Sequence, residues 1–391
     1  MHYDFDKVID RSGTNAAKYD ERPRVFGRGD VIPLWIADMD FPAPQPVVDA
    51  LTRRAQEGIW GYTSRPDSYF AAICDWQRRR NGWEIDPAKC SHALGVIPAI
   101  GAMIQYMTQP GDRILVQSPV YGDFFDIVRD NGRVVVENPL VEEGSGVWRI
   151  DFADFAEKIQ TVKMFLLCSP HNPLGITWSR EDLERMVALC RENHVILISD
   201  EIHSDLIFQG KHIPTASLSR EAADSVISCI SATKTFNMAG LQASTTVFPT
   251  VEMKQAFDRF WRNLEIHRNN AFSLVAMETA YQEGEDWLEQ LKAYLMGNFR
   301  YVKDFLDQHV PGVTTFIPGA TYLMWLDCRG LGMDQEDLVR FLVEKAGLGL
   351  SSGSGFGLDG FMRLNAACPR SVLERAMAQL AQAVADRQRD V

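Results

Sequence analysis

Between residues 95 and 282, short runs rich in β-branched and apolar residues alternate with longer stretches of helical periodicity. The strand candidates are residues 113–117, 133–137, 164–168, 195–199, 225–230 and 244–248, and the helix candidates include 97–108, 121–130, 180–193 and 251–282. This alternation predicts an α/β domain with a mostly parallel, buried central sheet flanked by helices. Ligands in such sheets bind beyond the carboxyl ends of the strands, so the residues that follow each run are the first site candidates.

The pattern changes after about residue 284. A long helical stretch to 309 is followed by two short strands (313–317 and 321–327), a helix (334–345), a Gly/Ser-rich loop (351–360), a short strand (361–365) and a final helix. We therefore predict a large domain over 46–284 and a smaller α+β domain over 285–391. The first segment, 1–45, is expected to pack on the smaller domain, and the Gly/Ser-rich loop is expected to form a mobile rim.

Composition excludes several classes of function. The 391-residue chain has a net charge of −12, whereas nucleic-acid binders carry a basic footprint, so we expect no nucleic-acid partner. No apolar stretch approaches the ~18 residues that a membrane span needs. The seven cysteines are odd in number and form no CxxC pair, which favours a reducing compartment, and we predict a cytoplasmic protein.

Two polar clusters follow predicted strands. Lys234 lies between small hydroxyl residues, among them Ser231 and Thr233, and Asp200 ends an earlier strand 34 residues before it. Such a lysine could hold an aldehyde cofactor as a Schiff base while the hydroxyls bind its phosphate, and the aspartate could meet its ring nitrogen. Pyridoxal 5'-phosphate (PLP) requires this combination. The plainer alternatives are a surface lysine and an aspartate that caps a helix.

Two other kinds of chemistry are weaker alternatives. Asp200, His203 and Asp205 could form a metal site, but no further cluster completes it, so we expect no metal. The Ser231-x-x-Lys234 pair also occurs in penicillin-binding enzymes, but their companion Ser-Asp-Asn and Lys-Thr-Gly motifs are absent from the sequence.

The segment Gly95-Val96-Ile97-Pro98 precedes a predicted helix. Proline suits the first helical turn, and the free N–H groups there form an anion site that a phosphate would fit. The alternative is an ordinary helix start.

Five further side chains are candidates. Arg363 lies in an apolar strand, where a guanidinium needs an anion, either a substrate carboxylate or an internal partner. Asn172 could donate to a cofactor oxygen or form an ordinary Asn-Pro turn. Trp35, Tyr62 and Tyr121 are aromatic residues in turn-like contexts; such residues usually pack in a core, but Tyr121 could stack on the pyridine ring.

Together these residues resemble fold-type I PLP enzymes and, within them, the MalY/PatB-type C–S lyases (cystathionine β-lyases). The resemblance covers nearly the whole chain. Its segments are residues 34–41 (LWIADMDF), 58–62 (GIWGY), 118–121 (SPVY), 167–173 (LCSPHNP), 198–203 (ISDEIH), 233–237 (TKTFN) and 363–370 (RLNAACPR).

The resemblance implies a role for each candidate. Lys234 would hold PLP and act as catalytic base, with Asp200 on the ring nitrogen and Asn172 on O3'. The remaining implied residues are Tyr121 stacked on the ring, His203 near O3', the Val96 and Ile97 amides with Ser231 and Thr233 at the phosphate, and Arg363 on the substrate carboxylate. Lys234 and Tyr121 are the two catalytic candidates for protonating the leaving thiolate. Trp35 and Tyr62 would shape the substrate pocket. Tyr62 would also reach the phosphate of the other subunit, which implies a homodimer with shared sites.

Two positions separate the lyases from the related aminotransferases. Gln242 stands where the aminotransferases usually have an arginine, and His203 stands where they have a tyrosine. Two other places do not follow the lyase pattern. Leu174 replaces the hydroxyl residue that is common after Asn-Pro, and the segment 239–241 resembles the aminotransferases as much as the lyases. We therefore predict β-elimination of L-cystathionine or other cysteine S-conjugates to a thiol, pyruvate and ammonia. An aminotransferase, and a regulatory protein that binds partners and retains PLP, are the alternatives.

Overall fold

The computed structural model describes residues 1–144 and 146–390. The α-helices are α1 (Ala17–Asp20), α2 (Arg22–Phe26), α3 (Gln45–Gln56), α4 (Asp67–Asn81), α5 (Val96–Met107), α6 (Asp123–Asp130), α7 (Phe152–Lys158), α8 (Arg180–Glu192), α9 (Arg220–Ala223), α10 (Ala232–Thr235), α11 (Val251–Asn263), α12 (Ala271–Glu283), α13 (Glu285–His309), α14 (Gln335–Glu344) and α15 (Arg370–Asp390). The strands are β1 (Ile32–Pro33), β2 (Cys90–Ala93), β3 (Arg113–Val116), β4 (Val134–Glu137), β5 (Val141–Gly144), β6 (Val147–Arg149), β7 (Met164–Cys168), β8 (Ile196–Asp200), β9 (Val226–Ile230), β10 (Ser244–Val247), β11 (Thr314–Thr315), β12 (Leu323–Asp327), β13 (Leu348–Gly349), β14 (Ser351–Ser352) and β15 (Phe361–Asn365). Among these described helices, none is long and apolar enough to cross a membrane.

A seven-stranded sheet forms the centre of the molecule, in the order β2-β10-β9-β8-β7-β3-β4. Strand β10 is antiparallel to both of its neighbours, and the pairs from β9 to β4 are parallel. Strands β7 and β9 are buried along their whole length, as a parallel sheet covered on both faces requires. The predicted α/β fold with a mostly parallel central sheet is confirmed.

A smaller antiparallel sheet has the order β11-β12-β15-β14. Beside it, β1 pairs with β13 in parallel, with Ile32 opposite Leu348. The main chain continues this contact, since the Leu34 amide donates to the Gly349 carbonyl at 2.8 Å. The first segment thus hydrogen-bonds to the C-terminal part of the chain, while the domain boundaries at residues 45 and 284 stay predictions.

The structure departs from the sequence-based prediction at three places. The helix predicted over 251–282 is two helices, because Glu265 has a left-handed φ of 56° and Asn270 caps α12 by accepting from the Phe272 and Ser273 amides. Strand β2, at the sheet edge, was missed because its sequence Cys-Ser-His-Ala lacks β-branched residues. The Gly/Ser-rich loop is anchored rather than a free rim: it contains β14 and a 3₁₀ turn, Gly353–Phe356, whose Phe356 is buried.

Register brings three loops to one edge of the central sheet. Cys168 at the end of β7 lies opposite Asp200 at the end of β8, and Asp200 lies opposite Cys229 in β9. Because these strands are parallel, the segments that follow them emerge side by side. Asn172, His203 and Lys234 are all on these segments.

Candidate active site

A cavity of about 180 Å³, partly open to solvent, lies at this edge of the sheet. Its lining residues are Ala37, Leu94, Gly95, Val96, Ile97, Pro98, Tyr121, Cys168, Asn172, Asp200, Ile202, His203, Thr233, Lys234, Ala239, Gln242 and Ala243. Eight of the residues predicted from the sequence therefore meet in one cavity.

Lys234 is placed by a one-turn helix directly after β9. Ser231 caps this helix, with its Oγ accepting from the Thr233 amide at 3.1 Å, as hydroxyl residues do at helix starts. The Lys234 Nζ donates to the Ala37 carbonyl at 2.7 Å. Burial, and then the nearby Arg363 charge, lower the pKa of Lys234 to about 8. A neutral amine is thus accessible close to neutral pH.

Asp200 ends β8 as a buried carboxyl. One oxygen accepts from the Ile202 amide at 3.0 Å, and no cation lies within salt-bridge distance of the carboxyl in the part of the chain that the structure describes. Burial, reinforced by the neighbouring Glu201, raises the pKa of Asp200 to about 7. A cationic N–H group from a ligand would supply the partner that this carboxyl lacks.

Arg363 lies in β15 and is only 5% exposed. Its NH1 donates to Asn172 Oδ1 at 3.1 Å and its NH2 to the Trp35 carbonyl at 2.9 Å, while its Nε has no partner. Within the described residues no carboxylate pairs with it, so the internal salt bridge considered as an alternative is not formed. Burial lowers the pKa of Arg363 to about 10. An uncompensated buried cation of this kind fits an anionic ligand.

Asn172 is oriented by this contact. Because a guanidinium only donates, the amide oxygen of Asn172 must face Arg363, which leaves its NH₂ group available as a donor. That availability is the feature that the proposed contact with a cofactor oxygen needs.

The opposite end of the cavity is the start of α5. Gly95, Val96 and Ile97 line it, and the first amides of a helix have no partner inside the helix. Thr233 and Gln242 also line the cavity. Ser231 lies just behind, where its Oγ bonds to the Ala243 carbonyl and to Thr233 Oγ1. This end is built from neutral donors and a helix N-terminus, which suits a phosphate.

Tyr121 and His203 complete the walls. The Tyr121 hydroxyl donates to Asp123 Oδ2 at 2.6 Å, and burial together with this carboxylate raises the pKa of the phenol. His203 packs edge-on against Tyr322, with ring centroids 5.9 Å apart. Burial, and then the charges of Lys234 and Arg363, lower the pKa of His203 to about 3, so its imidazole is neutral.

Four predicted residues do not line the cavity. Ser231 and Arg363 bond to residues of its lining, Ala243 and Asn172, whereas the Tyr62 and Trp35 side chains lie away from it. Tyr62 is 99% exposed. The Trp35 indole faces away, with its Nε1 donating to the Lys18 carbonyl and its ring edge-on to Phe26, so only its main-chain carbonyl reaches Arg363. In this single chain, neither aromatic ring contacts the site.

The metal alternative is not supported by the geometry of Asp205. Its two carboxylate oxygens accept from Trp76 Nε1 at 2.8 Å and Thr235 Oγ1 at 2.9 Å. Across residues 1–144 and 146–390, no group of three or more His, Cys, Asp or Glu side chains is placed to hold a metal ion.

Sequence reasoning missed several contributors. Ala37 acts through its carbonyl, which accepts from Lys234 and also from the Tyr322 hydroxyl at 2.7 Å, and no sequence signal marks a backbone group. Asp123 stands two residues after Tyr121, and that spacing could have been noticed. Cys168 lines the cavity as the last residue of a strand that was predicted correctly.

The donor set of the cavity fits PLP. A buried carboxyl without a cation, a helix N-terminus with hydroxyls beside it, and an amine of lowered pKa match the ring nitrogen, phosphate and aldehyde of that cofactor.

Comparison with known proteins agrees with this fit. Residues 29–380 match the family described as aminotransferase class I and II. The chain is 40% identical over 381 residues to cystathionine beta-lyase PatB of Bacillus subtilis, covering 96% of this chain and 98% of PatB. It is 33% identical over 396 residues to protein MalY of Escherichia coli, covering 98% and 99% of the two chains. The PLP-bound C–S lyase of Staphylococcus hominis superposes with a TM-score of 0.91 at 32% identity, covering 98% of both chains. The chain therefore belongs to the aminotransferase class I and II family and, within it, to the group that includes PatB and MalY.

Proposed function

We propose that this protein is a PLP-dependent C–S β-lyase that cleaves L-cystathionine or other cysteine S-conjugates to a thiol, pyruvate and ammonia. One observation carries the proposal: the Lys234 amine and the Asp200 carboxyl, which has no cation beside it, line one cavity, and the Arg363 guanidinium, which has no anion, donates to Asn172 of the same lining. An α-amino acid bound together with PLP would satisfy all three groups.

The residues of the cavity divide the binding tasks. We assign Asp200 to the ring nitrogen, the Asn172 amide to O3', and the Val96 and Ile97 amides with Thr233 to the phosphate. When bound, PLP supplies an electron sink that stabilises negative charge at the substrate Cα.

Lys234 is the proposed catalytic base and acid. Its lowered pKa supports a neutral amine that removes the Cα proton, and the ammonium thus formed can return that proton to the departing thiolate. Tyr121, the other candidate donor, is a poor acid because burial and Asp123 raise the pKa of its hydroxyl. Its ring remains the proposed stacking surface. Arg363 binds the substrate carboxylate and so orients Cα toward the lysine.

A lyase is favoured over an aminotransferase. Gln242, at the position where aminotransferases usually have an arginine, lines the cavity, and neutral His203 takes the place of a tyrosine. The relatives PatB and the C–S lyase of Staphylococcus hominis bear lyase names at 40% and 32% identity.

The deciding experiment is pyruvate release from L-cystathionine, with and without 2-oxoglutarate. We expect pyruvate in the absence of the oxo acid, and its loss in Lys234→Ala, because no other amine lines the cavity in the described chain. Glutamate formed only with the oxo acid would identify an aminotransferase. Pyruvate release retained by Lys234→Ala would refute the assignment of the base.

We also propose a homodimer with shared sites. Ile59, Trp60, Tyr62 and Leu264 are large apolar side chains that are more than half exposed, and such a group typically marks an interface. The Arg268 guanidinium lies 5.8 Å over the Tyr62 ring. Mixing Lys234→Ala with Tyr62→Ala should restore activity in hybrid dimers that retain one intact site. No recovery after subunit exchange would argue against sharing.

A cytoplasmic location is part of the same proposal. All seven cysteines of the sequence are free in the structure, which supports a reducing compartment.

A further inference from the structure

We propose that Phe356 is a positioning residue for substrate binding, which holds the Arg363 guanidinium in the plane needed to grip the substrate carboxylate. This inference rests on the proposed function. Phe356 comes from the Gly/Ser-rich loop, which the sequence predicted as a mobile rim.

The contact places a cation over an aromatic face. The Arg363 Cζ lies 4.7 Å from the centre of the Phe356 ring, and both residues are 5% exposed. Other Arg363 contacts are neutral groups at its edge: Asn172 Oδ1 at 3.1 Å, the Trp35 carbonyl at 2.9 Å and Ser351 Oγ at 3.4 Å. The ring thus supports the face of the guanidinium, and the hydrogen bonds hold its edge.

Phe356 is itself held from two sides. Its carbonyl accepts from the Val120 amide at 2.9 Å, directly beside Tyr121. Its ring packs edge-on against Trp325, with centroids 5.5 Å apart. The loops also approach closely, since a Cβ added at Gly122 would stand 2.5 Å from the Gly355 carbonyl oxygen. The loop therefore has little freedom to move away from Arg363.

This arrangement meets a specific need. A buried guanidinium is stabilised by an aromatic face without using any of its N–H donors, so the donors stay available for a carboxylate. A carboxylate partner would compete with the substrate for those donors. The ring should therefore matter for ligands that carry a carboxylate and not for those that lack one.

The test compares two ligands on PLP-loaded protein. L-alanine and ethylamine differ by the carboxylate, and the dissociation constant of each is read from the absorbance change of the bound cofactor. In Phe356→Leu we expect about tenfold weaker binding of L-alanine, since a desolvated cation–aromatic contact is worth roughly one power of ten in affinity. Ethylamine binding should not change, and Phe356→Tyr should restore L-alanine binding. KM for L-cystathionine should rise in Phe356→Leu while kcat stays within about twofold.

Phe361→Leu is the matched control. Phe361 stacks on the same Trp325 at 5.3 Å but has no ring contact with Arg363. The Phe361→Leu substitution should lower thermal stability without changing the ratio of the dissociation constants of L-alanine and ethylamine. Equal loss of both ligands in Phe356→Leu, or no loss of either, would overturn the inference. Failure of the wild-type protein to release pyruvate would instead refute the proposed function, and the two failures are separable because ligand binding is measured without turnover.

Discussion

Two buried cations of this chain stand in opposite electrostatic situations. Lys18, on α1, is fully buried, and its Nζ donates to Asp40 Oδ2 at 2.9 Å and to the Asp38 carbonyl at 3.3 Å. Arg11 also donates to the side-chain carboxylates of Asp38 and Asp40, at 2.7 Å each. Arg363, in β15, is also buried but has only neutral partners.

The difference separates a structural charge from a functional one. Taking an ion out of water costs several kcal/mol, and opposite charges with good geometry offset that cost. At Lys18 the offset is complete within the chain, so the cation fastens α1 to the run 38–40. At Arg363 the offset is missing, and a ligand anion would provide it. Burial alone does not mark a site; burial without a counter-ion does.

The largest expected effect follows from removing the uncompensated cation. Arg363→Met should lower kcat/KM for L-cystathionine about 100-fold or more, because truncating one partner of a hydrogen-bonded charge pair costs about 2–5 kcal/mol. The free energy of unfolding of the cofactor-free protein should not fall appreciably, since a desolvated charge is lost with it. Steady-state kinetics and urea unfolding measure the two quantities. A large loss of stability with normal kcat/KM would reverse the roles assigned to Arg363 and Lys18.

The second prediction concerns Lys18, whose removal should lower stability rather than activity. Lys18→Met leaves the Asp40 carboxylate buried with Arg11 as its remaining partner. We expect the free energy of unfolding to fall by about 3 kcal/mol, at the low end for a broken buried pair because Arg11 stays. At a temperature where the variant is folded, kcat/KM should change far less than in Arg363→Met. Urea unfolding of the cofactor-free protein is the measurement. Unchanged stability would mean that Arg11 alone satisfies both carboxylates.

The sequence was sufficient to predict the features that depend on hydrophobic patterning or on the chemistry of a single residue. The continuous apolar runs of β7 and β9 marked buried parallel strands, and polar residues at their ends pointed to one edge of a sheet. Lys234, Asp200 and Asn172 meet there as predicted, and a guanidinium in an apolar strand was rightly read as needing explanation. The roles of these residues stay proposals.

Other features depend on contacts between distant segments, which a sequence does not display. Lys18 looks like an ordinary surface lysine until Asp40 is brought to it, and Phe356 looks like part of a flexible loop until its ring meets Arg363. The break at 264–270 depends on one cap, Asn270, inside a stretch whose composition remains compatible with a helix. Position in space, rather than residue type, decides each of these cases.

The smallest expected effect tests whether the uncompensated cation acts on its neighbour. In the cofactor-free protein, burial first and Arg363 second lower the pKa of Lys234 to about 8 from the usual 10.5. Arg363→Met should raise that pKa toward 10.5, by about one unit if the two charges interact by roughly 1.4 kcal/mol. The rate of trinitrobenzenesulfonate labelling at Lys234, followed by peptide mapping across pH 6–11, reports the midpoint of its titration, and Lys18→Met should leave that midpoint unchanged.

Between pH 8 and 10.5 the unfolded chain binds more protons at Lys234 than the folded chain does. The contribution of this lysine to the free energy of unfolding therefore increases as pH rises through that window. This pH window should be narrower in Arg363→Met, because the pKa of Lys234 in the folded chain is then closer to 10.5. An unmoved midpoint would show that burial alone sets the lysine's pKa, and that the lack of a counter-ion at Arg363 matters to the substrate and not to the base.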